Sequence, residues 1–135
     1  MKKLILILFS LYIPLSFAQN WQEVGENQFY KISLNTSSIE PIYREGQNLL
    51  QGWTNWQVYT ERGPKDELRG DFTMVMYYMN CQNQTMAEAS RTRYLSTGKE
   101  LGSQAMTWHD LKPVAQNTLG FSILQAACRQ QKVIP

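Results

Sequence analysis

Cys81 and Cys128 are the two cysteines of the chain, and a thiol can act as a metal ligand, as a nucleophile or as half of a disulfide. Cys81 closes the apolar stretch MVMYYMNC, and Cys128 lies close to the C-terminus. Their neighbours support neither a redox motif nor a metal pair, because CQNQ is not a CxxC sequence and the chain has 1 histidine. One disulfide, contributing about 4 kcal/mol in an exported chain, is the preferred interpretation; a free thiol or a metal pair is the alternative.

Other residues that could support catalysis are sparse. His109 stands beside Asp110, but a single histidine in a loop is more often packed or solvated than catalytic. The segment GFSI at 120–123 lacks the second glycine of a nucleophile elbow. Asp66 and Glu67 fall in the charged segment ERGPKDELRG, where solvation explains them better than acid–base catalysis. We therefore predict a protein without enzymatic activity, bound metal or cofactor.

Two arginines and three aromatic residues are the candidates for ligand binding. Arg91 and Arg93 are two positions apart in a predicted strand, so their side chains leave the same face and could hold an acidic ligand. The alternative is a solvated face that resists aggregation. Trp53, Trp56 and Tyr59 could form a recognition surface, because Trp and Tyr are enriched at interface hot spots, although at least one tryptophan is expected in the core.

Residues 1–18 have the pattern of a secretory signal peptide, in which Lys2 and Lys3 precede an apolar run and small residues before the cleavage position. We therefore expect a single exported domain over residues 19–135, periplasmic or secreted, without a spanning segment and without an N-terminal cysteine for a lipid anchor. Once the two signal lysines are removed, the 13 basic residues no longer outnumber the 11 acidic ones. This balance argues against nucleic acid as a partner.

Period-two alternation dominates the chain after Trp21 and predicts strands. The predicted strands cover residues 30–35, 39–43, 51–60, 71–81, 86–95 and 100–107. The charged segment 61–70 is expected to be a solvated hairpin loop, and residues 119–131 carry a helical stripe that begins after a cap at Asn117 or Thr118. The predicted fold is α+β, an antiparallel sheet of about five or six strands with one C-terminal helix packed on one face and tied to the sheet by the disulfide.

The strand at 71–81 is apolar on both faces, which is unusual for an antiparallel sheet with one wet side. If the disulfide forms, the face that carries Cys81 lies under the helix. That face includes Val75, Tyr77 and Met79. The residues of the opposite face are Phe72, Met74, Met76 and Tyr78. They need a different cover, either the N-terminal segment or a second copy of the chain, which predicts a homodimer or a sheet-edge association.

The next strand alternates more regularly. Strict alternation places Glu88 on one face together with Ser90 and Thr92. It places Arg91 and Arg93 on the other face. The sequence therefore predicts that Glu88 and the two arginines point to opposite sides of the sheet.

A series of landmarks runs from Trp21 to Cys128. They are YKISLNTSSI, a tryptophan-containing strand, MVMYYMNCQNQ, RYLSTGKEL, WHDLKPV and a final helix that closes on AAC. This order resembles the bacterial surface-adhesin protein E family over roughly residues 21–129, nearly the whole of the expected domain. The resemblance implies a small exported domain with an antiparallel sheet, one C-terminal helix and a cysteine in each.

The resemblance also implies a function, that of a non-enzymatic bacterial envelope or secreted protein. Some members of the family act as adhesins for host extracellular-matrix and serum proteins. Members that are outer-membrane lipoproteins carry a lipidated cysteine, whereas this sequence has no cysteine directly after the expected cleavage. The matched landmarks are framework residues, so no binding residue is transferred from the family. The alternative function is a periplasmic accessory protein, an inhibitor or an assembly factor, that binds another envelope protein.

Overall fold

The computed structural model describes residues 20–106 and 110–131. The predicted signal peptide at 1–18 lies outside these ranges and stays a prediction. His109 lies outside them as well, so the expectation that it is packed or solvated also stays a prediction. The described elements are β1 (Trp21–Glu26), β2 (Tyr30–Asn35), β3 (Glu40–Arg44), β4 (Gln47–Val58), β5 (Phe72–Asn80), β6 (Thr85–Tyr94), β7 (Glu100–Ala105), β8 (Lys112–Pro113) and α1 (Leu119–Gln130), with short 3-10 helices at Thr36–Ser38 and Pro64–Asp66.

The eight strands form one antiparallel sheet, which confirms the predicted α+β fold with a C-terminal helix. They lie in the order β1-β2-β4-β5-β6-β7, with β3 beside β4 and β8 beside β6. The 12-residue β4 is central, because β2 pairs with its second half and β3 with its first half. Two of the strands, β1 and β8, were not predicted. The alternation of β1 is broken by a register shift between Glu23 and Gly25, and β8 has only 2 residues. Neither offers the period-two signal by which strands are found.

A tight turn joins β3 and β4. Glu45 and Gly46 both adopt left-handed backbone conformations, with φ of 48° and 76°. Two consecutive residues of this kind make the turn whose twist matches that of antiparallel strands, and glycine reaches this region without steric cost. Upstream, the hydroxyl of Ser38 accepts a hydrogen bond of 2.9 Å from the backbone N–H of Trp53, which joins the segment between β2 and β3 to the central strand.

Helix α1 is fastened to the sheet near both of its ends. Its cap is Thr118, whose hydroxyl accepts a hydrogen bond from the backbone N–H of Phe121. At the first turn, Leu119 packs so closely on Gly25 that a Cβ there would lie 2.8 Å from the leucine side chain. In the last turn, Cys128 is bonded to Cys81, which directly follows β5, with a Cα–Cα distance of 5.8 Å. The predicted disulfide between sheet and helix is confirmed.

The core lies between α1 and one face of the sheet, which we call the inner face. Its fully buried side chains include Ile32 and Leu34 from β2 and Ile123 from α1. The three residues of β5 that were predicted to lie under the helix belong to the same cluster: Val75, Tyr77 and Met79. Burying a large aliphatic side chain contributes about 1.5–3 kcal/mol, so this cluster is the main source of stability besides the disulfide.

The outer face of β5 is covered more than the sequence suggests. Tyr78 is 6% exposed and packs in a second cluster with Leu49 and Ala89. Half-buried Ile42 and Leu111 border that cluster, so the cover comes from β3 and from the segment before β8. The prediction that Tyr78 needs the N-terminal segment or a second subunit is therefore wrong. The homodimer itself stays a prediction.

The other residues of this outer face are half-buried. They are Phe72, Met74 and Met76. The ring of Phe72 stacks on Tyr94 of β6 with a centroid distance of 4.9 Å. Each strand thus supplies part of the cover for its neighbour.

Candidate functional site

The inner face is covered by α1 over one part only, because the helix packs mainly on β1, β2 and β4. Beyond it, cross-strand register aligns Trp56 of β4 with Thr73 of β5, and Thr73 in turn with Arg93 of β6. A concavity of about 270 Å³ opens above this row, and we call it the cleft. Its main polar and aromatic lining residues are Tyr30, Trp56, Lys65, Glu67, Arg91 and Arg93.

A β-bulge in β6 brings an acidic residue to the edge of the cleft. Met76 pairs with Ser90 and the next residue, Tyr77, pairs with Glu88, so Ala89 is an extra residue without a partner. The prediction that Glu88 lies on the face opposite to Arg91 is therefore wrong. The bulge reverses the alternation at that point and places both side chains on the inner face.

Glu88 and Arg91 form a two-bonded ion pair. The Nη2 and Nε groups of Arg91 donate hydrogen bonds of 2.6 Å and 3.2 Å to the two carboxylate oxygens of Glu88. This hydrogen bonding raises the pKa of the Arg91 guanidinium, against the opposing effect of burial. The Arg91 side chain is still 44% exposed, so the pair holds the guanidinium in place without removing it from solvent.

Glu67 is the acidic group of the cleft itself. It is 8% exposed, whereas the sequence suggested a solvated carboxylate. The hydroxyl of Tyr30 donates a hydrogen bond of 2.5 Å to one of its oxygens, and Nη2 of Arg93 lies 3.5 Å from the other. The buried charge is therefore compensated from two sides, as a buried carboxylate requires.

The loop that carries Glu67 is held on the sheet by Asp71. The carboxylate of Asp71, itself 8% exposed, accepts hydrogen bonds from the backbone N–H groups of Leu68 and Ser96. The predicted hairpin loop at 61–70 is thus anchored at its end. Its position determines where Glu67 and Lys65 stand.

Tyr30 is a neutral donor at physiological pH. Burial, followed by the hydrogen bond to Glu67, raises the pKa of Tyr30 from 10.0 to about 12. The deeper Tyr77 has its pKa raised as well, chiefly by burial. Neither hydroxyl is suited to act as a base near neutrality, because a general base needs a pKa close to the working pH.

The aromatic wall of the cleft is Trp56. Its ring meets Tyr30 edge to face, with centroids 5.9 Å apart. The indole N–H donates a hydrogen bond of 3.1 Å to the hydroxyl of Thr54, which donates in turn to the carbonyl of Val75. The indole orientation is therefore determined by the sheet beneath it.

The five residues of the candidate binding surface do not come together. Arg91, Arg93 and Trp56 line the cleft. Trp53 lies on the outer face, paired with Met76 in register. Tyr59 is on that side as well, where the Lys31 amine lies 5.6 Å from its ring and its hydroxyl donates to the carbonyl of Asn27. Trp53 and Trp56 are three positions apart in β4, so their side chains necessarily point to opposite faces of the sheet.

Four residues of the site are not predicted from the sequence: Tyr30, Lys65, Glu67 and Glu88. The sequence predicts only a strand at Tyr30 and a solvated loop at Lys65 and Glu67. Glu88 was assigned to the wrong face because period-two counting assumes no bulge. Among these residues, only Tyr30 has a signal in the sequence for its position on the inner face. It starts a strand in which the residues of the same parity, Ile32 and Leu34, are apolar.

Two wider concavities border the cleft on the inner face. One, of about 570 Å³, is lined by Tyr77, Glu88, Gln104 and Lys112 together with Arg91. The other, of about 360 Å³, lies between the two arginines and β7. Gly102 of β7 pairs with Arg93 and offers no side chain, and a Cβ there would meet nothing within 4 Å. The cleft is therefore open toward the edge strand.

The arrangement of the cleft can hold a ligand. Within 20–106 and 110–131, no group of 3 or more His, Cys, Asp or Glu residues could hold a metal ion. The described helices include none that is long and apolar enough to cross a membrane. What the cleft does offer is a fixed aromatic wall beside two arginines whose side chains are 44% and 41% exposed.

Comparison with known protein families gave a match. A sequence model described as surface-adhesin protein E matches residues 21–129, which extends from the start of β1 into the last turn of α1. No curated protein and no solved structure shows a significant similarity to the chain.

Proposed function

The chain belongs to the surface-adhesin protein E family, and on this basis we propose that it is a non-enzymatic, exported bacterial protein that attaches to host extracellular-matrix or serum proteins. The family membership over residues 21–129 is the observation that carries the proposal. The family itself indicates a surface or exported protein that binds other proteins. That this chain itself binds host matrix or serum proteins, as some members of the family do, is the proposal.

The geometry of the inner face supports a binding role. A recognition site needs a concave surface with a few polar groups in fixed positions. The cleft has these, because Glu88 holds Arg91, Glu67 lies beside Arg93, and Thr54 orients Trp56. Arginine and tryptophan are also the residue types that dominate binding energy at protein interfaces.

A solid-phase assay tests the proposal directly. The exported protein is purified and titrated against immobilised laminin, vitronectin and plasminogen at several salt concentrations. We expect saturable binding to at least one of them that weakens as salt increases, because exposed arginines interact through screened charges. Absence of saturable binding to all three would remove the host-adhesion proposal and leave the fold unaffected.

The cellular location is tested on intact bacteria. Protease is added outside the cells, and cleavage of the protein is followed by immunoblotting, with a periplasmic enzyme as the internal control. An adhesin should be cleaved while the control enzyme is protected, or should be recovered from the culture medium. Protection until the outer membrane is opened would instead favour the accessory protein that binds another envelope protein.

A further inference from the structure

We propose that the cleft binds a single carboxylate group, which Arg91 and Arg93 hold while the apolar part of the same ligand lies against Trp56. This inference rests on the proposed binding function and names the chemistry that the site recognises. The carboxylate could belong to a free small molecule or to an acidic side chain of a protein, and the experiment below distinguishes these two sources.

The charge of the cleft favours an anion. Three cationic residues line it, Lys65, Arg91 and Arg93, against Glu67 in the lining and Glu88 at the edge, which leaves an excess of one positive charge. The chain as a whole is nearly balanced, with 13 basic and 11 acidic residues. The local excess is therefore a property of this site, and partly enclosed sites with one sign of charge concentrate ligands of the other sign.

The two guanidinium groups have donors left for a ligand. Glu88 occupies the Nε and Nη2 side of Arg91, and none of the described contacts uses Nη1. The contact of Arg93 with Glu67 is 3.5 Å, longer than the roughly 2.7–3.2 Å of a good N–H···O hydrogen bond. A carboxylate placed between the two arginines would meet the planar donor pairs that such groups bind best.

The buried Glu67 repels any anion that enters the cleft. Its carboxylate is part of the cleft wall and stays compensated by Tyr30 and Arg93. A phosphate dianion would meet about twice the repulsion from Glu67 that a carboxylate monoanion meets, but also about twice the attraction to the cationic residues, so charge alone does not separate the two anions. Trp56 separates them instead, because its ring can pack on the apolar part of an organic carboxylate and inorganic phosphate has no such part.

The size and lining of the cleft define the rest of the ligand. Its volume of about 270 Å³ accommodates a small ring or one amino-acid side chain, but not a folded segment. Trp56 and Val75 supply an apolar wall beside the arginines. The ligand should therefore join a carboxylate to a flat or aliphatic group, and Gly102 leaves room for a longer chain to continue toward β7.

The experiment uses the purified protein and four probes that form matched pairs. Benzoate is compared with benzamide, and the capped tetrapeptide Gly-Phe-Asp-Gly with the same peptide carrying Asn in place of Asp. Binding is followed by NMR at the indole N–H of Trp56 and at the Nε–H groups of Arg91 and Arg93. Inorganic phosphate is titrated in parallel. We expect the acids to bind at least about tenfold more tightly than their amides, and more tightly than phosphate.

Variants assign the effect to the cleft. Arg93→Gln should weaken benzoate binding by about tenfold or more, since it removes a charge-assisted contact. Lys65→Gln should weaken it by about two- to threefold, because this exposed amine acts only through its charge. The matched control is Arg129→Gln, which removes an exposed cation of α1 outside the cleft and should leave the affinity unchanged. Lys65→Gln keeps the test valid if Arg93→Gln fails to fold.

The outcomes separate this inference from the host-adhesion proposal. Binding of both acids supports a carboxylate site open to proteins, and binding of benzoate alone supports a site for free small carboxylates. Equal affinity for acids and amides, tighter binding of phosphate, or no effect of Lys65→Gln would overturn the inference. Loss of host-protein binding in the solid-phase assay with benzoate binding intact would overturn only the host-adhesion proposal.

Discussion

Glu88 and Arg91 lie three positions apart on β6 and are joined by two hydrogen bonds on the same face of the sheet. In a regular strand, side chains three apart point to opposite faces. The pair exists because Ala89 is the extra residue of a bulge. The bulge therefore decides which side of the Arg91 guanidinium is occupied from within the chain and which side is left for a partner.

Glu88→Gln should strengthen the binding of benzoate by about two- to fivefold, because it removes a competing negative charge from Arg91. The free energy of unfolding should change by less than about 1 kcal/mol, since the pair is substantially exposed. Both quantities are measured on one preparation, by NMR titration and by urea denaturation. Glu100→Gln on exposed β7 is the matched control and should leave both unchanged. Weaker benzoate binding in Glu88→Gln would contradict this prediction.

Tyr30→Phe should destabilise the protein by about 1–3 kcal/mol, because buried Glu67 then loses its shortest hydrogen bond. The measurement is the free energy of unfolding in urea at neutral pH. Tyr43→Phe removes a hydroxyl from a residue that is 70% exposed, and it should change stability by less than about 0.5 kcal/mol. Equal effects of the two substitutions would show that the Tyr30–Glu67 contact adds no stability.

The regular strands, the helix and its cap can be predicted from the sequence, whereas the irregular features of the cleft cannot. The inward face of β5, with Val75 and Met79, follows from simple alternation and from the position of Cys81. The cap at Thr118 and the turn at Gly46 follow from residue chemistry that acts over a few positions. These features depend on local periodicity and backbone preference, which a single sequence contains.

The cleft depends on features without such a signal. A bulge such as that at Ala89 is determined by how two strands pair, and the sequence of one strand does not contain that information. Glu67 looks solvated because its neighbours in sequence are charged, yet it is buried by Tyr30, which is 37 positions away. Arg91, Arg93 and Trp56 were found as candidates because their residue types commonly bind ligands, but their meeting in one cleft is a result of the register of β4, β5 and β6.

Alkaline pH should weaken the fold through Tyr30. Its pKa is about 12 in the folded protein and 10.0 as an unperturbed group, so the folded state holds the hydroxyl proton more tightly than the unfolded chain does. The associated stability is complete below the unfolded pKa and is lost as pH rises from about 10 to about 12. Tyr77 adds to the loss in the same direction, because burial raises its pKa too.

The check on this pH dependence is the urea midpoint at pH values of about 9 and about 11, for the wild type and for Tyr30→Phe. We expect the urea midpoint of the variant to decrease less between the two pH values, because the variant has lost one of the two tyrosines whose pKa is raised by folding. Identical pH dependence in both proteins would contradict the assignment to Tyr30.

The double variant Cys81→Ser, Cys128→Ser should have a free energy of unfolding that is lower by about 4 kcal/mol, because the disulfide closes a long loop of the unfolded chain. Urea denaturation of oxidised and reduced wild type and of the double variant measures this. A reducing agent should destabilise the wild type and leave the double variant unchanged, which separates the disulfide from other effects of the reagent. A loss below about 1 kcal/mol would show that packing alone keeps α1 in place.

The two attachments of α1, Leu119 against Gly25 and Cys128 bonded to Cys81, have a kinetic consequence. A helix that is fixed at both ends cannot move across the sheet as a rigid body, so α1 cannot act as a gate that alternately exposes and covers the cleft. Ligand association should then be a single bimolecular step, whose observed rate rises linearly with ligand concentration and reaches no plateau. An enclosed site under a moving cover would show saturation of that rate instead.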